Sequence, residues 1–410
     1  MEIYMRIADK LRNKDILIWG YGREGKSTEQ FINEFCSVKS LTIFEGKENE
    51  INDSQYDYII KSPGIKVDLY REKYTSQTEL FLEEFSSQTI GITGTKGKST
   101  TSSMIYKVLS SCLNKKILLV GNIGLPCLNY YEEIHEDTVV VFEMSCHQLS
   151  HLHFSPHIAI FLNLYEDHLD YYGTVEKYFE AKKNIAVHQK KNDYYYYGEN
   201  VPQLDVLSDK KKICHDKSLS FDMKLKGEHN QYNAGFVYAV CTELFSCSEA
   251  AVRQAIESFE GLPHRLEFVA TVNGVDYYND SISTIPEATI EAIKSISNVK
   301  TVMIGGMDRH IHYDCIIDFI RCHQEYDYIL SYESGLRIYK EVSDLKNCYY
   351  KDTLLCAVNF AREITPKGTA CLFSPAAASY GYFKNFEERG NAYKEMVLSS
   401  VLSQNGNLSE

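Results

Sequence analysis

No apolar run in the 410-residue sequence approaches the roughly 18 residues that a membrane-spanning helix needs. The first residues, Met1 to Arg6, lack the charged-then-apolar layout of a secretory signal peptide. Positive charge is short as well: 43 lysines and arginines face 56 aspartates and glutamates, a formal net charge of −13. That balance excludes a broad nucleic-acid or anionic-membrane surface. Any phosphate site must therefore be local, built from backbone N–H groups and a few cations. No two cysteines form C-x-x-C, and the twelve are scattered along a long chain. They read as reduced thiols in the cytoplasm rather than a disulfide framework. There is no internal repeat and no low-complexity linker.

What is present is an alternation of short β-rich runs with helical stretches, which predicts an α/β protein with mostly parallel sheets. The length suits about two to three domains. Residues 16–22 read as a buried strand, and Gly20, Gly22 and Gly25 fit G-x-G-x-x-G ahead of a helix. A second strand, Leu41–Phe44, ends at Glu45, the spacing of a Rossmann ribose carboxylate. From residue 88 a second segment carries strands at 117–120, 138–142 and 157–162. Gly261-Leu262-Pro263 is a plausible joint. Beyond it come a hairpin around Asn273-Gly274 and strands at 299–304, 326–330 and 370–373. The expected domains are 1–87, 88–261 and 262–410. The thirty-one tyrosines, four of them in a run at 194–197, suggest no function.

The most informative stretch is 88–106, where an apolar run meets Gly94-Thr95-Lys96-Gly97-Lys98-Ser99-Thr100 and then a helix. Glycines let backbone N–H groups converge on phosphates, Lys98 adds a mobile cation, and the Ser99 hydroxyl can ligate Mg²⁺. The usual Walker spacing is not met, because Ile92 stands where its first glycine belongs. Glu143, at the end of an apolar run, suits a Mg²⁺ ligand, or alternatively a cap or ion pair. His168 could serve as metal ligand or acid/base with Asp167 or Asp170 orienting it, or be a loop histidine bonded to backbone. Lys182 and Lys183 share a helical stretch, and the residues alone do not choose between them. Asn230 and Asn233 can offer amides to a purine edge, although Asn230 also suits an N-cap. Arg265, Asp280, Arg309 and Ser379 follow strands, at the edge where open α/β sheets bind ligands. His310, His312, Cys315, Cys322 and His323 match no standard zinc module.

In this order the motifs resemble the Mur ligases, the ATP-dependent amide ligases of peptidoglycan precursor synthesis, and most of all their glutamate-adding members. The match runs from about Ile16 to Tyr393. It is carried by Gly94–Ser99, Glu143–Gln148, Glu166–Asp170, Ala181-Lys182, His229-Asn230, Leu262–Arg265, Asn279–Ser281 and Lys384–Gly390. The resemblance implies three domains: a Rossmann-like UDP-binding domain, a central P-loop ATPase-like domain and a C-terminal Rossmann-like α/β domain. It implies that Ser99 and Glu143 hold one Mg²⁺ while His168 and a carbamylated Lys182 serve a second, with Lys98 completing the catalytic set. Asn230, Asn233, Arg265 and Asp280 would contact ATP across an interdomain cleft. Gly20, Gly22, Glu45, Ser62, Pro63, Gly64 and Asn122 would hold the UDP part of the substrate. Thr284, Arg309, Ser379 and Phe386 would receive the amino acid. The implied substrates are ATP, UDP-N-acetylmuramoyl-L-alanine and glutamate, handled by a cytoplasmic monomer.

Two positions depart from that pattern. Asp280-Ser281 is followed by Ile282-Ser283-Thr284, where glutamate-adding members carry Lys-Ala-Thr, and Arg309 replaces a usual lysine. Arginine does not substitute neutrally for a lysine point charge. D-Glutamate is expected, with an L-glutamate-adding variant as the alternative. A nucleotide-binding regulator that uses the loop without catalysis is a further reading. A dehydrogenase built on Gly20–Gly25 would leave the phosphate loop without a task.

Overall fold

A computed structural model of the protein describes residues 6–405 apart from 68, 69, 217, 226 and 310. The chain divides into two compact units, Met1–Phe259 and Glu260–Glu410.

The first unit holds two parallel sheets. One has the order β2-β1-β3-β4, with β1 at Asp15–Trp19, β2 at Ser40–Phe44, β3 at Tyr58–Lys61 and β4 at Tyr74–Thr75. β1 ends at Trp19, before the glycines that the sequence reading had included in the strand. The third glycine of the fingerprint, Gly25, lies inside the helix Arg23–Phe35. A Cβ there would stand 2.1 Å from the Gly20 carbonyl oxygen, so only glycine lets helix and strand close up.

The second sheet has the order β10-β9-β8-β5-β7-β6. Its strands are β5 Thr89–Thr93, β6 Ile117–Gly121, β7 Val139–Glu143, β8 Ile158–Phe161, β9 Tyr194–Gly198 and β10 Asp209–Ile213. β5, β7 and β8 are buried throughout, as their unbroken Val/Ile/Phe runs require of strands covered on both faces. The tyrosine run is β9. Tyr195 and Tyr197 stack on one face at 5.1 Å, while the Tyr196 hydroxyl donates to Glu243 on the other. The two sheets share one apolar core, in which Phe31 and Phe81 join Leu118, Phe142 and Tyr195.

The second unit is a six-stranded sheet in the order β11-β12-β16-β13-β14-β15. Its strands are β11 Glu267–Val272, β12 Val275–Asn279, β13 Val299–Gly305, β14 Asp327–Ser331, β15 Cys348–Lys351 and β16 Ala370–Phe373. Only the hairpin β11/β12 is antiparallel, turned at Asn273-Gly274 with φ of +54° and +82°. The other pairings are parallel.

Candidate active site

β5 runs in the middle of its sheet, between β7 and β8, and its carboxyl end opens into the phosphate loop. Gly94 and Gly97 take φ of +156° and +85°, and the helix Lys98–Cys112 begins at once. A Cβ on Gly97 would sit 2.5 Å from Asn233 Oδ1, which brings the base of the helix Glu228–Leu244 against the loop. Asn163, just past β8, clamps the loop from the other side. Its Oδ1 accepts from Lys96 N at 2.9 Å, its Nδ2 donates to Lys96 O at 2.9 Å, and its carbonyl accepts from Thr95 N at 3.0 Å. Lys98 Nζ donates to the carbonyls of Gly94 and Thr95 at 3.0 and 2.9 Å, which holds the ammonium over the loop. Ser99 is buried in the first helical turn, followed by Thr100.

Three further residues converge on this loop. Lys182, on the helix Val175–Lys183, is 1% exposed and donates from Nζ to Gly94 O at 2.9 Å and Thr93 Oγ1 at 3.2 Å. Burial, and next the charge of Lys98, pull its pKa down from 10.5 to about 7. Lys183, the neighbour that the sequence could not separate from it, instead pairs with Glu180 at the surface, 2.5 Å away. Glu143, at the end of β7, is 1% exposed; Oε1 accepts from Asn122 Nδ2 at 2.9 Å. Its Oε2 is buried with no hydrogen-bond partner among the described residues. His168 sits in the left-handed region, φ +52°, with its ring exposed and Nε2 3.7 Å from Asp167 Oδ2. The side chain of Asp170 lies outside those described. Asn230 and Asn233 are both buried; Gly227, not Asn230, is the N-cap of their helix.

A cavity of about 640 Å³ joins Lys98, His168 and Lys182 to the loops that follow the first sheet's strands. Lys98, Asn122, His168 and Lys182 line it together with Gly20, Gly22, Ser62, Pro63 and Gly64. Glu45 is exposed and does not line it. The sequence reading missed four supporting residues. Asn163 is one. Glu24 lines the cavity, and burial raises its carboxyl to about 7 while Gln148 Nε2 donates to Oε1 at 2.7 Å. Burial lowers Lys61 to about 8, and its Nζ donates to the carbonyls of Ser62 and Ile65 at 3.0 and 2.8 Å, which shapes the Ser62–Gly64 turn. Arg389, in the second unit, is the fourth.

In that unit Asp280 is buried, with Oδ2 accepting from Ser374 Oγ at 2.8 Å and Oδ1 from Leu266 N at 3.1 Å. Burial raises its carboxyl to about 6. Arg265 is exposed beside it and lowers that value slightly. Arg309 is exposed and donates to the carbonyl of half-buried Thr284 at 3.1 Å. Ser379 is buried, and Phe386 opens the helix Phe386–Asn405 with its carbonyl accepting from Ser281 Oγ at 2.8 Å. Arg389 is 1% exposed and ties these loops together without a carboxylate. It donates to Ser281 O and Oγ at 2.8 and 3.0 Å, and to the carbonyls of Ala377 and Ala378 at 2.9 and 3.1 Å. Its position inside the Lys384–Gly390 motif was the available signal, but nothing there announces burial.

The C-terminal histidine–cysteine string shows no metal grouping among the described residues. His310 lies outside them, while His312 is exposed and faces Asp314 at 3.7 Å. No helix among the described residues is long and apolar enough to cross a membrane.

Residues 92–214 match the Mur ligase middle domain. A UDP-N-acetylmuramoylalanine–D-glutamate ligase of Koribacter versatilis is 31% identical over 94% of this chain and 98% of its own length. The enzyme of the same name from Aquifex aeolicus is 30% identical over 93% and 98%. Among solved structures, the MurF ligase of Thermotoga maritima in complex with ADP aligns with a TM-score of 0.54 at 16% identity, over 97% of each chain. UDP-N-acetylmuramate-alanine ligase MurC of Thermotoga maritima aligns at 0.53 and 19%, over 94% of this chain and all of its own.

Proposed function

The chain belongs to the Mur ligase family of ligases, and from that premise we propose that it joins glutamate to UDP-N-acetylmuramoyl-L-alanine at the expense of ATP, in the cytoplasm and as a monomer. The alanyl carboxylate attacks the γ-phosphorus and ADP leaves, giving an acyl phosphate. The glutamate amine then attacks the acyl carbon, a proton is lost, and phosphate departs with one oxygen from the original carboxylate. The observation that carries this reading is one cavity lined both by the Gly20–Gly22 and Ser62–Gly64 turns and by Lys98, His168 and Lys182. Such a cavity suits a long substrate held at one end by its nucleotide and reacted at the other.

In this reading the Gly94–Thr100 loop cradles the phosphates, Lys98 countering their charge, while Asn230 and Asn233 recognise adenine. The buried, unpartnered Glu143 Oε2 and the buried Ser99 hydroxyl fit a hard, oxygen-seeking cation. Ser99 and Glu143 would hold one Mg²⁺, and His168 with a carbamylated Lys182 a second; bound there, the ions neutralise charge on the transferring phosphoryl group. Lys182 suits carbamylation because burial leaves much of its amine neutral near pH 7. The neutral amine adds CO₂ and releases a proton, and the cation becomes an anion with longer reach. In the second unit Thr284, Arg309, Ser379 and Phe386 are assigned to the amino acid, and Arg265 and Asp280 to the nucleotide. The three-domain division at 87/88 and 261/262 belongs to the same proposal.

The test is ADP release and amide product with UDP-N-acetylmuramoyl-L-alanine, ATP and each of D-glutamate, L-glutamate and D-aspartate. The expected result is turnover that requires both acceptor and glutamate, with D-glutamate preferred. A preference for L-glutamate would trace the changed stereochoice to Ile282–Thr284 and Arg309. ATP turnover indifferent to acceptor and amino acid would overturn the reading.

A further inference from the structure

Cys146, His147 and His168 bring a thiol and two imidazoles to one wall of the cavity. One ligand atom from each lies within 4.8 Å of the other two. Among the described residues this is the single grouping of histidine, cysteine and carboxylate side chains that dense. Its donors are wrong for Mg²⁺, which takes oxygen, and right for a borderline-soft ion such as Zn²⁺. Tetrahedral zinc with Zn–N of about 2.0–2.1 Å and Zn–S of about 2.3 Å sets its ligand atoms about 3.3–3.6 Å apart. The three atoms therefore need to draw together by roughly 1 Å, within reach of side-chain torsions.

The surroundings favour such an ion. Cys146 is 2% exposed and lines the cavity, and its thiol shares a hydrogen bond with the Tyr172 hydroxyl, away from bulk water. His147 is oriented by a neighbour: Tyr172 Oη lies 3.3 Å from Nδ1 and the two rings stack at 5.6 Å. Tyr172 thus holds the His147 ring in place, as outer partners orient the imidazoles of metal sites. The ring of His168 stands edge-on to that of His147, centroids 5.1 Å apart, and an exposed left-handed residue at the lip of the cavity can move inward.

We propose that Cys146, His147 and His168 form a three-ligand site for a thiophilic divalent cation of the Zn²⁺ class, with water as fourth ligand. Its occupation withdraws His168 from the reaction, so that zinc inhibits the ligase; this second clause alone rests on the proposed function. Binding converts the Cys146 thiol to thiolate and releases one proton, with no redox change.

The test uses the full chain without nucleotide or substrate, titrated with Co²⁺ as a spectroscopic stand-in for zinc, with Zn²⁺ then added in competition. One equivalent should give a thiolate-to-metal absorption in the near ultraviolet and tetrahedral bands in the visible, all abolished by one equivalent of Zn²⁺. Cys146→Ser should remove the ultraviolet band, and His147→Gln should weaken binding at least tenfold. Cys322→Ser, at an exposed cysteine elsewhere in the chain, should change neither. Far-ultraviolet circular dichroism certifies that each variant is folded, and the two site variants report independently should one fail. The proposal is overturned if no thiolate band forms, or if it survives both site substitutions. Zinc inhibition of ligation at the concentration that displaces Co²⁺ supports the second clause, and zinc-indifferent turnover of a zinc-loaded chain removes it.

Discussion

Replacing Lys182 by methionine should stabilise the first unit, and the gain should fade as pH rises. Methionine nearly conserves volume at a side chain that is 1% exposed. The lysine ionises near 10.5 when solvated and near 7 in the fold, with burial the first cause and Lys98 the second. Between those values the unfolded chain binds a proton that the folded chain does not, so wild-type stability rises with pH across the window. At about 1.36 kcal/mol per pH unit, the penalty on the wild type is about 4 kcal/mol at pH 7 and about 1 kcal/mol at pH 10. The variant also loses the Nζ bonds to Gly94 O and Thr93 Oγ1, a pH-independent cost of about 1–2 kcal/mol. The difference between variant and wild type therefore shifts by about 3 kcal/mol from pH 7 to pH 10, whatever that offset is. Trp19 is the sole tryptophan, buried in β1 of the same unit, and its fluorescence reports urea unfolding there. The measurement needs CO₂-free buffer, so that the amine stays unmodified. A difference that does not change with pH would refute the reasoning.

Lys182→Ala should lower kcat at least a hundredfold, and formate or acetate in the assay buffer should restore part of it by filling the place of the carbamate; unaltered activity would remove Lys182 from the site. Gly97→Ala should raise the dissociation constant for ATP at least tenfold in a nucleotide titration. Its Cβ would press on Asn233 Oδ1 at 2.5 Å, and a left-handed alanine costs about 1–2 kcal/mol. Arg389→Lys should destabilise the second unit by about 2–4 kcal/mol, because a lysine cannot reach the carbonyls of Ser281, Ala377 and Ala378 together. Hydrogen exchange at Ala370–Phe373 measures that change.

The β-rich runs were legible in the sequence where they were apolar and long: β2, β6, β7, β8 and the strands flanking Asn273-Gly274 stand where the pattern predicted them, and β1 stops at Trp19, short of the Gly20 and Gly22 that the pattern included. β4 has two residues, β10 is Asp209-Lys-Lys-Lys-Ile213, and β9 is a tyrosine run, so none presents a run of aliphatic residues. The phosphate loop was legible because glycine at positive φ and a following helix leave a local signature. Burial is what the sequence does not carry. Lys182 and Lys183 are equivalent on paper, and only helix phase turns one onto Gly94 and the other toward Glu180. Asn163, Glu24, Lys61 and Arg389 matter through partners tens of residues away or more, or through a turn they shape, and no spacing rule exposes such pairings. The same holds for Cys146, His147 and His168, whose grouping depends on β7 and β8 flanking β5.

The central claim, carboxylate activation by phosphoryl transfer, is tested most directly by oxygen tracing. UDP-N-acetylmuramoyl-L-alanine labelled with ¹⁸O in both carboxylate oxygens is turned over with ATP and glutamate, and the released phosphate is analysed by mass spectrometry. An acyl phosphate intermediate delivers one ¹⁸O to each phosphate. Phosphate without label, formed alongside amide product, would contradict the account.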